Sequence, residues 1–391
     1  MLLDSSFPPD IRVESEALSL VREGHSVSLL CYDFSGLPSR MDYKGIKIIR
    51  LPIKESRAKK MIALMHLVPF YKMFWKDALR KTLKNDKFDV IHIHDLPLSF
   101  LFDEILMDRE IKKVIDLHEN FPYLMEHQAY MKKFPWKYIL SSKPWFDAER
   151  KWLRNADRII CVDENMKRRI ALMLNNIDDI IVVPNTISID SFVEAQEHRS
   201  EVAARMTGTY NLVYIGGIDS TRGLETLVEA TDQLREKINN LKVWIVGSGS
   251  GYHNIRKLID RLGLQDLIVM EGNRPQSEIG TYLSQAHICM IPHLKTPHTD
   301  NTSANKLFQY MYYGKPIVSS NCLAIERVIQ DAKCGEIFES GNASDMVEKV
   351  IKIFNNPALA ASYGENAKIA VEKKYNWAVT VKPMLEMYQI M

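Results

Sequence analysis

The chain is short of cysteine, of net charge and of long apolar runs, and each shortage excludes a class of protein. Only five cysteines occur in 391 residues, at Cys31, Cys161, Cys289, Cys322 and Cys334. None stands at metal-finger spacing from another. Cys31, Cys161 and Cys289 lie in or beside apolar runs, where a thiol behaves as a small buried hydrophobe. A disulfide framework is not expected, and a reducing cytoplasm is. Lys and Arg total 51 against 49 Asp and Glu, a net charge of +2. Nucleic-acid binders usually carry a strong basic excess, so no nucleic acid is expected as partner. The most apolar stretch, residues 61–75, is interrupted by His66, Pro69 and Lys72 and is too short to span a bilayer. The opening MLLDSSFPPD has neither a basic segment nor a long apolar core, so no secretory signal is read from it.

What is present is an ordinary globular composition, 46% hydrophobic and 26% charged. Short β-branched runs alternate with helical stretches. VSLLC (27–31), VIHIH (90–94), KVIDL (113–117), RIICV (158–162) and DIIVVP (179–184) form a first set. NLVYIGG (211–217), KVWIVGSG (242–249), LIVMEG (267–272), HICMIP (287–292) and PIVSS (316–320) form a second. Continuous apolar strands between helices predict parallel sheets covered on both faces. So many strands exceed one sheet and predict two doubly wound α/β domains. The expected division is 1–190, with the tail 377–391 crossing back to it, and 191–376. Residues 185–206 are polar and lack a β-run. Only residues 1–3 precede the first loop, which predicts a short first strand.

In open α/β sheets ligands bind beyond the carboxyl ends of the strands. Glycines stand there at Gly216-Gly217 and Gly247-Ser248-Gly249, each leading into a helix whose N-terminus favours an anion. The densest group is HTDNTSANKLFQYMYYGKPIVSS (298–320). Asp300, Asn301, Thr302 and Ser303 are N-cap formers, a helix is expected over 305–313, and Gly314 ends it. Its first-turn amides and Lys306 would face a ligand beyond the sheet. A plain capped helix with a solvated lysine reads equally from these residues.

This segment resembles the signature of retaining glycosyltransferase family 4, of the GT-B fold. The family pattern is Glu, seven residues, Glu, then a helix ending in Gly-x-Pro; here those positions are Asn301, Gln309 and Gly314-Lys315-Pro316. FPPDIRVE (7–14), VIHIHD (90–95), VIDLHENFP (114–122), VVPNTIS (182–188), YIGGIDSTRG (214–223), VGSGSG (246–251) and EGNRPQSEI (271–279) resemble further family segments in the same order. The resemblance implies two Rossmann-like domains facing across a cleft, with the acceptor on the first and a nucleoside-diphosphate sugar on the second. Of the family's Arg and Lys on the donor pyrophosphate, the Arg position is Gly217 and the Lys position is Arg222; Lys306 would add the second charge. The resemblance places His118 at the reaction centre. It implies donor contacts at Gly216, Gly217, Gly247, Arg274, Asp300, Asn301, Thr302, Ser303, Ala304, Asn305 and Gln309, and acceptor contacts at Pro9, Arg12 and Asp95. Arg12 reads equally as an exposed surface arginine.

No Asp-x-Asp occurs, the motif that holds metal in the other large glycosyltransferase fold, so no cofactor or metal is expected. His92-x-His94 shares one strand face, but no matching ligand group follows at metal spacing. The expected reaction is retaining, metal-independent transfer to a glycan or lipid-linked acceptor. Loss of both Glu positions leaves open an inactive nucleotide-sugar binder or a sugar epimerase of the same fold. Residues 54–87 hold ten Lys/Arg against three Asp/Glu, with Phe70, Tyr71, Phe74 and Trp75 among them. Residues 132–152 add Phe134, Trp136, Tyr138, Trp145, Phe146 and Trp152. Basic groups beside aromatics suit an anionic headgroup surface, so the enzyme is expected in the cytoplasm or at the inner leaflet; the same pattern also fits core aromatics under a solvated charged face.

Overall fold

The computed structural model describes residues 1–107, 109–127, 141–302 and 304–391. The chain divides into two compact units, 1–184 with 381–391, and 185–380. The division falls six residues before position 190.

In unit 1 the strands are β1 (Leu2–Ser6), β2 (Ser28–Asp33), β3 (Arg40–Tyr43), β4 (Ile46–Pro52), β5 (Val90–His94), β6 (Lys112–Leu117), β7 (Arg158–Cys161) and β8 (Ile180–Val182). They form one sheet in the order β3-β4-β2-β1-β5-β6-β7-β8. Every pairing is parallel except β3 with β4. β1 runs on to Ser6, so the first strand is longer than the sequence predicts. β3 and β4 were not predicted. β4 alternates buried and open positions as an outer strand does, rather than showing a continuous apolar run.

In unit 2 the strands are β9 (Tyr210–Ile215), β10 (Leu241–Val246), β11 (Ile268–Gly272), β12 (Ile288–Ile291), β13 (Ile317–Ser320) and β14 (Gly335–Phe338). They form a parallel sheet in the order β11-β10-β9-β12-β13-β14. Alternate residues of β9 enter opposite core layers: Val213 and Ile215 on one face, Leu212 and Tyr214 on the other. Burial on both faces is why these strands read as unbroken apolar runs.

Sheet order fixes where ligands can go. The order reverses between β1 and β5 in unit 1 and between β9 and β12 in unit 2. At such switch points neighbouring loops leave in opposite directions and open a crevice at the strand ends.

Helix α1 (Ile11–Arg22) starts where Asp10 accepts the Val13 amide at 3.0 Å, and buries Val13, Ala17 and Leu20. The helix Pro357–Lys373 ends because Asn376 donates its side-chain amide to the carbonyls of Val371 and Glu372. The expected helix beyond it is two pieces, Trp377–Thr380 and Lys382–Ile390. The first stays in unit 2, because the Trp377 amide bonds the Ile187 carbonyl. The second belongs to unit 1, where the Tyr388 hydroxyl lies 2.9 Å from His92 Nδ1.

Helix α2 (Glu55–Ala63) carries no aromatic, and the aromatics of α3 (Phe70–Asn85) divide between core and surface. Tyr71 and Trp75 are fully buried, bonded to Asp4 and Tyr32. Trp145 and Trp152 are core as well. They are therefore not membrane-facing, contrary to the expectation from sequence. Phe70 remains 63% exposed, with Leu67 and Met73. Lys132, Phe134, Trp136 and Tyr138 lie outside the described residues.

Candidate active site

The switch point of unit 2 gathers a compact cationic group. The chain leaves β9 at Gly216, and Lys306 reaches across from the first turn of the helix Asn305–Tyr312. Gly216 has φ +137°, a conformation that favours glycine, and a Cβ there would lie 2.5 Å from Lys306 Nζ and push the lysine aside. Gly247 serves packing: a Cβ there would lie 1.9 Å from the Gly216 carbonyl oxygen. Lys306 Nζ sits 4.0 Å from the Tyr214 ring centroid and 3.4 Å from His293 Nε2. Among the described residues it forms no salt bridge with a carboxylate. Burial, and then the Arg222 charge, hold Lys306 well below the usual lysine range. Arg222 lies on the 216–223 loop with Nε 3.0 Å from Asp219 Oδ2. Asp219 also accepts the Thr221 amide, which fixes the loop that carries Arg222.

The predicted cap residues behave differently from expectation. Ala304 occupies the N-cap of the Asn305 helix and makes no side-chain cap bond. Asp300 instead accepts the Leu323 amide at 2.8 Å, at the start of the helix Leu323–Ala332. Asn301 donates to the Pro297 carbonyl and Thr302 to the His298 carbonyl. All three bond within the 298–302 turn or to the neighbouring helix, and none caps the Asn305 helix as the sequence predicts. Ser303 lies outside the described residues. The amides of Asn305 and Lys306 have no acceptor among the described residues, and these first-turn donors suit an anion. Gln309 is buried, and its side-chain amide has no partner among the described residues. Gly217 accepts the Tyr214 hydroxyl at 2.6 Å. Arg274 stands two strands away, past β11, ion-paired to Glu271 at 2.6 Å.

At the switch point of unit 1, His118 is held between two carboxylates. Its Nε2 donates to Asp116 Oδ2 at 2.8 Å, and its Nδ1 lies 3.6 Å from Asp95 Oδ2. Asp95 also accepts the His118 backbone amide. Burial alone would lower the imidazole pKa; Asp95 and then Asp116 outweigh it and raise it to about 10. His118 is therefore a cation and hydrogen-bond donor at neutral pH, not a base.

Arg12 is corrected from an acceptor contact to a buried ion pair. It donates to both Asp116 oxygens at 2.7 Å and to the Val183 carbonyl at 2.9 Å, and meets Glu16 at 3.1 Å. The partner lies 104 residues away in sequence, where spacing gives no hint. Pro9 is exposed, just before the capping Asp10.

His92 and His94 stack at 4.6 Å and meet Glu16 and Asp116, a convergence that local spacing does not reveal. Asp116 is saturated by Arg12 and His118, and a guanidinium stands against Glu16. A cation already fills the electrostatic role a metal would take, and the group reads as an ion-pair network.

The profile of Glycosyl transferases group 1 matches residues 196–370, and that of Glycosyltransferase Family 4 matches residues 11–191. The chain belongs to these glycosyltransferases. An uncharacterized glycosyltransferase of Methanocaldococcus jannaschii is 20% identical over 350 residues, 89% of this chain and 86% of the relative. A sucrose-phosphate synthase from Thermosynechococcus elongatus superposes with TM-score 0.78 at 17% identity, covering 99% of this chain and 94% of that one. The Anabaena protein HepE in complex with UDP-glucose superposes with TM-score 0.72 at 13% identity, covering 100% and 99%. These likenesses establish the GT-B fold of the glycosyltransferase. Sequence reasoning missed Asp219, His293, Asp116 and Glu16. Only His293 carried a local signal, its place at the end of β12.

Proposed function

We propose that the glycosyltransferase moves a sugar from a nucleoside-diphosphate sugar to a glycan or lipid-linked acceptor, with retention at the anomeric carbon. The observation that carries this reading is the pair Arg222 and Lys306, two basic side chains brought to one switch point from different elements. The missing arginine at Gly217 is offset by a lysine whose Nζ lies against Gly216. That HepE was solved with UDP-glucose supports such a donor here.

In unit 2 the diphosphate lies against the amides of Asn305 and Lys306. As the glycosidic bond breaks, charge grows on the phosphate oxygens, and Arg222 and Lys306 are already in place to meet it. Gln309 faces the ribose. The departing phosphate takes the acceptor proton, which requires no protein base. His118 contributes a fixed positive charge and an N–H in unit 1, where the acceptor binds. The test is a pooled nucleotide-sugar screen with NMR of the product. Transfer with retained configuration is expected; an inverted product, a changed sugar without transfer, or binding without turnover each contradicts the reading.

Turnover is expected to persist in excess chelator, because Arg222 and Lys306 do the work that a divalent cation does at other diphosphates. Loss of turnover restored by Mg²⁺ or Mn²⁺ contradicts this. Gln309→Glu is expected to keep or raise nucleoside-diphosphate affinity, since a carboxylate accepts two ribose hydroxyls with charge-assisted bonds. Calorimetry checks it, and weaker binding would show that Gln309 faces another group.

The surface around α2 supports an anionic membrane as partner. Lys54, Arg57 and Lys60 are exposed there, as are Leu67, Phe70 and Met73 on the turn into α3. Lys72 and Lys76 are tied to Glu104 and contribute less. Each well-placed basic residue adds about 1 kcal/mol near anionic lipid. Co-sedimentation with phosphatidylserine vesicles is expected, weakening with salt and on joint neutralisation of Lys54, Arg57 and Lys60. Equal binding to neutral vesicles, or none to either, contradicts it.

A further inference from the structure

Lys306 is held by neutral groups. His293 is 3% exposed, and its backbone carbonyl accepts the Ser320 hydroxyl at 2.5 Å and the Ser340 hydroxyl at 3.4 Å. That clamp aims Nε2 at Lys306 Nζ, 3.4 Å away, while the Tyr214 ring covers another side. The groups facing Lys306 come from each neighbouring element. They are Tyr214 on β9, Asp219 and Arg222 on the following loop, and His293 after β12, with His298 beyond it. Asp219 is turned to Arg222 and Thr221. Burial, and then the Arg222 charge, favour the neutral amine at Lys306, and Asp219 opposes them. Burial likewise holds the His293 imidazole well below its ordinary range.

We propose that His293 is a positioning residue of the donor site, and that a nucleoside diphosphate binding there draws one proton from solvent onto Lys306. The inference rests on the donor-site reading above. In the resting site Lys306 is an amine, so it does not stand as a second cation beside Arg222. The incoming diphosphate supplies the negative charge that makes the ammonium favourable. One proton leaves the buffer and joins Nζ. The ammonium then donates to a phosphate oxygen and to His293 Nε2, and the imidazole keeps its single proton on Nδ1. Affinity consequently falls as pH rises, by at most tenfold per unit.

The test is isothermal titration calorimetry at pH 8 with UDP, GDP, ADP and dTDP, each in HEPES and in Tris. The second phosphate ionisation, near about 6, is complete at this pH, so the ligand takes up no proton itself. The slope of observed enthalpy against buffer ionisation enthalpy counts protons. A slope near one is expected for the wild type, and near zero for Lys306→Met. His293→Leu is expected to weaken binding by about tenfold or more, since a hydrogen bond to a charged group is lost. His293→Gln keeps an acceptor and is expected to stay within about threefold of wild type. A wild-type slope near zero overturns the inference, as does His293→Leu binding like wild type. Failure of all four diphosphates to bind is a different result: it overturns the donor-site reading and the inference with it.

Discussion

Replacing Arg222 by alanine is expected to lower kcat/KM for sugar transfer by at least about 100-fold, the usual cost of removing one preorganised donor to transition-state charge. Arg222 presents a planar fork suited to phosphate oxygens, and Asp219 holds its Nε at 3.0 Å. Lys306→Ala is expected to cost less, because part of its charge forms only when the diphosphate arrives. The double variant should lose less than the product of the two single losses, since both cations act on one diphosphate. Steady-state kinetics of the three variants check this. A near-normal Arg222→Ala, or fully independent losses, would show that the two residues do not share a phosphate.

The second large effect is on stability. Asp116→Ala is expected to destabilise unit 1 by about 3–5 kcal/mol, because it strands a buried guanidinium. For a domain of this size that is a fall in Tm of roughly 6–20 °C. Arg12 would lose both of its 2.7 Å bonds to Asp116, and His118 its 2.8 Å bond. Calorimetric melting checks it, and a loss under about 1 kcal/mol would show the network to be dispensable. The network also sets a pH dependence. His118 has a folded pKa raised to about 10, so the stability it contributes is fully present below its ordinary value of about 6.5. That stability is lost as pH rises through about 10. Asp95→Asn is expected to move the His118 titration toward neutral in an NMR experiment and, by the same linkage, to lower Tm at neutral pH.

The fold was legible wherever strands are buried on both faces. Runs such as NLVYI and KVWIV have no other sensible place in a globular chain. β4 and β14 were hidden for the opposite reason: IKIIRLP alternates, and GEIF is only four residues with a glycine at its start. The approach of Lys306 to Gly216 at the β9/β12 switch point was legible through glycines and the strand-end rule. The turn before its helix was misread, because Asp300, Asn301 and Thr302 are good cap formers anywhere, and sequence does not say which helix they cap. Asp300 caps the next one. Arg12 was misread because its partners are long-range: a helix-start arginine looks exposed until Asp116 arrives from β6. His92 and His94 looked isolated on their strand for the same reason, since Glu16 and Asp116 come from α1 and β6.

The central claim is that the diphosphate of the donor binds at the β9/β12 switch point between Arg222 and Lys306. A crystal structure with a bound nucleoside diphosphate tests it most directly. The account predicts phosphate oxygens within hydrogen-bond distance of Arg222, of Lys306 Nζ and of the Asn305 and Lys306 amides, with the ribose at Gln309. A diphosphate bound elsewhere, or held at this place by neither cation, would contradict it.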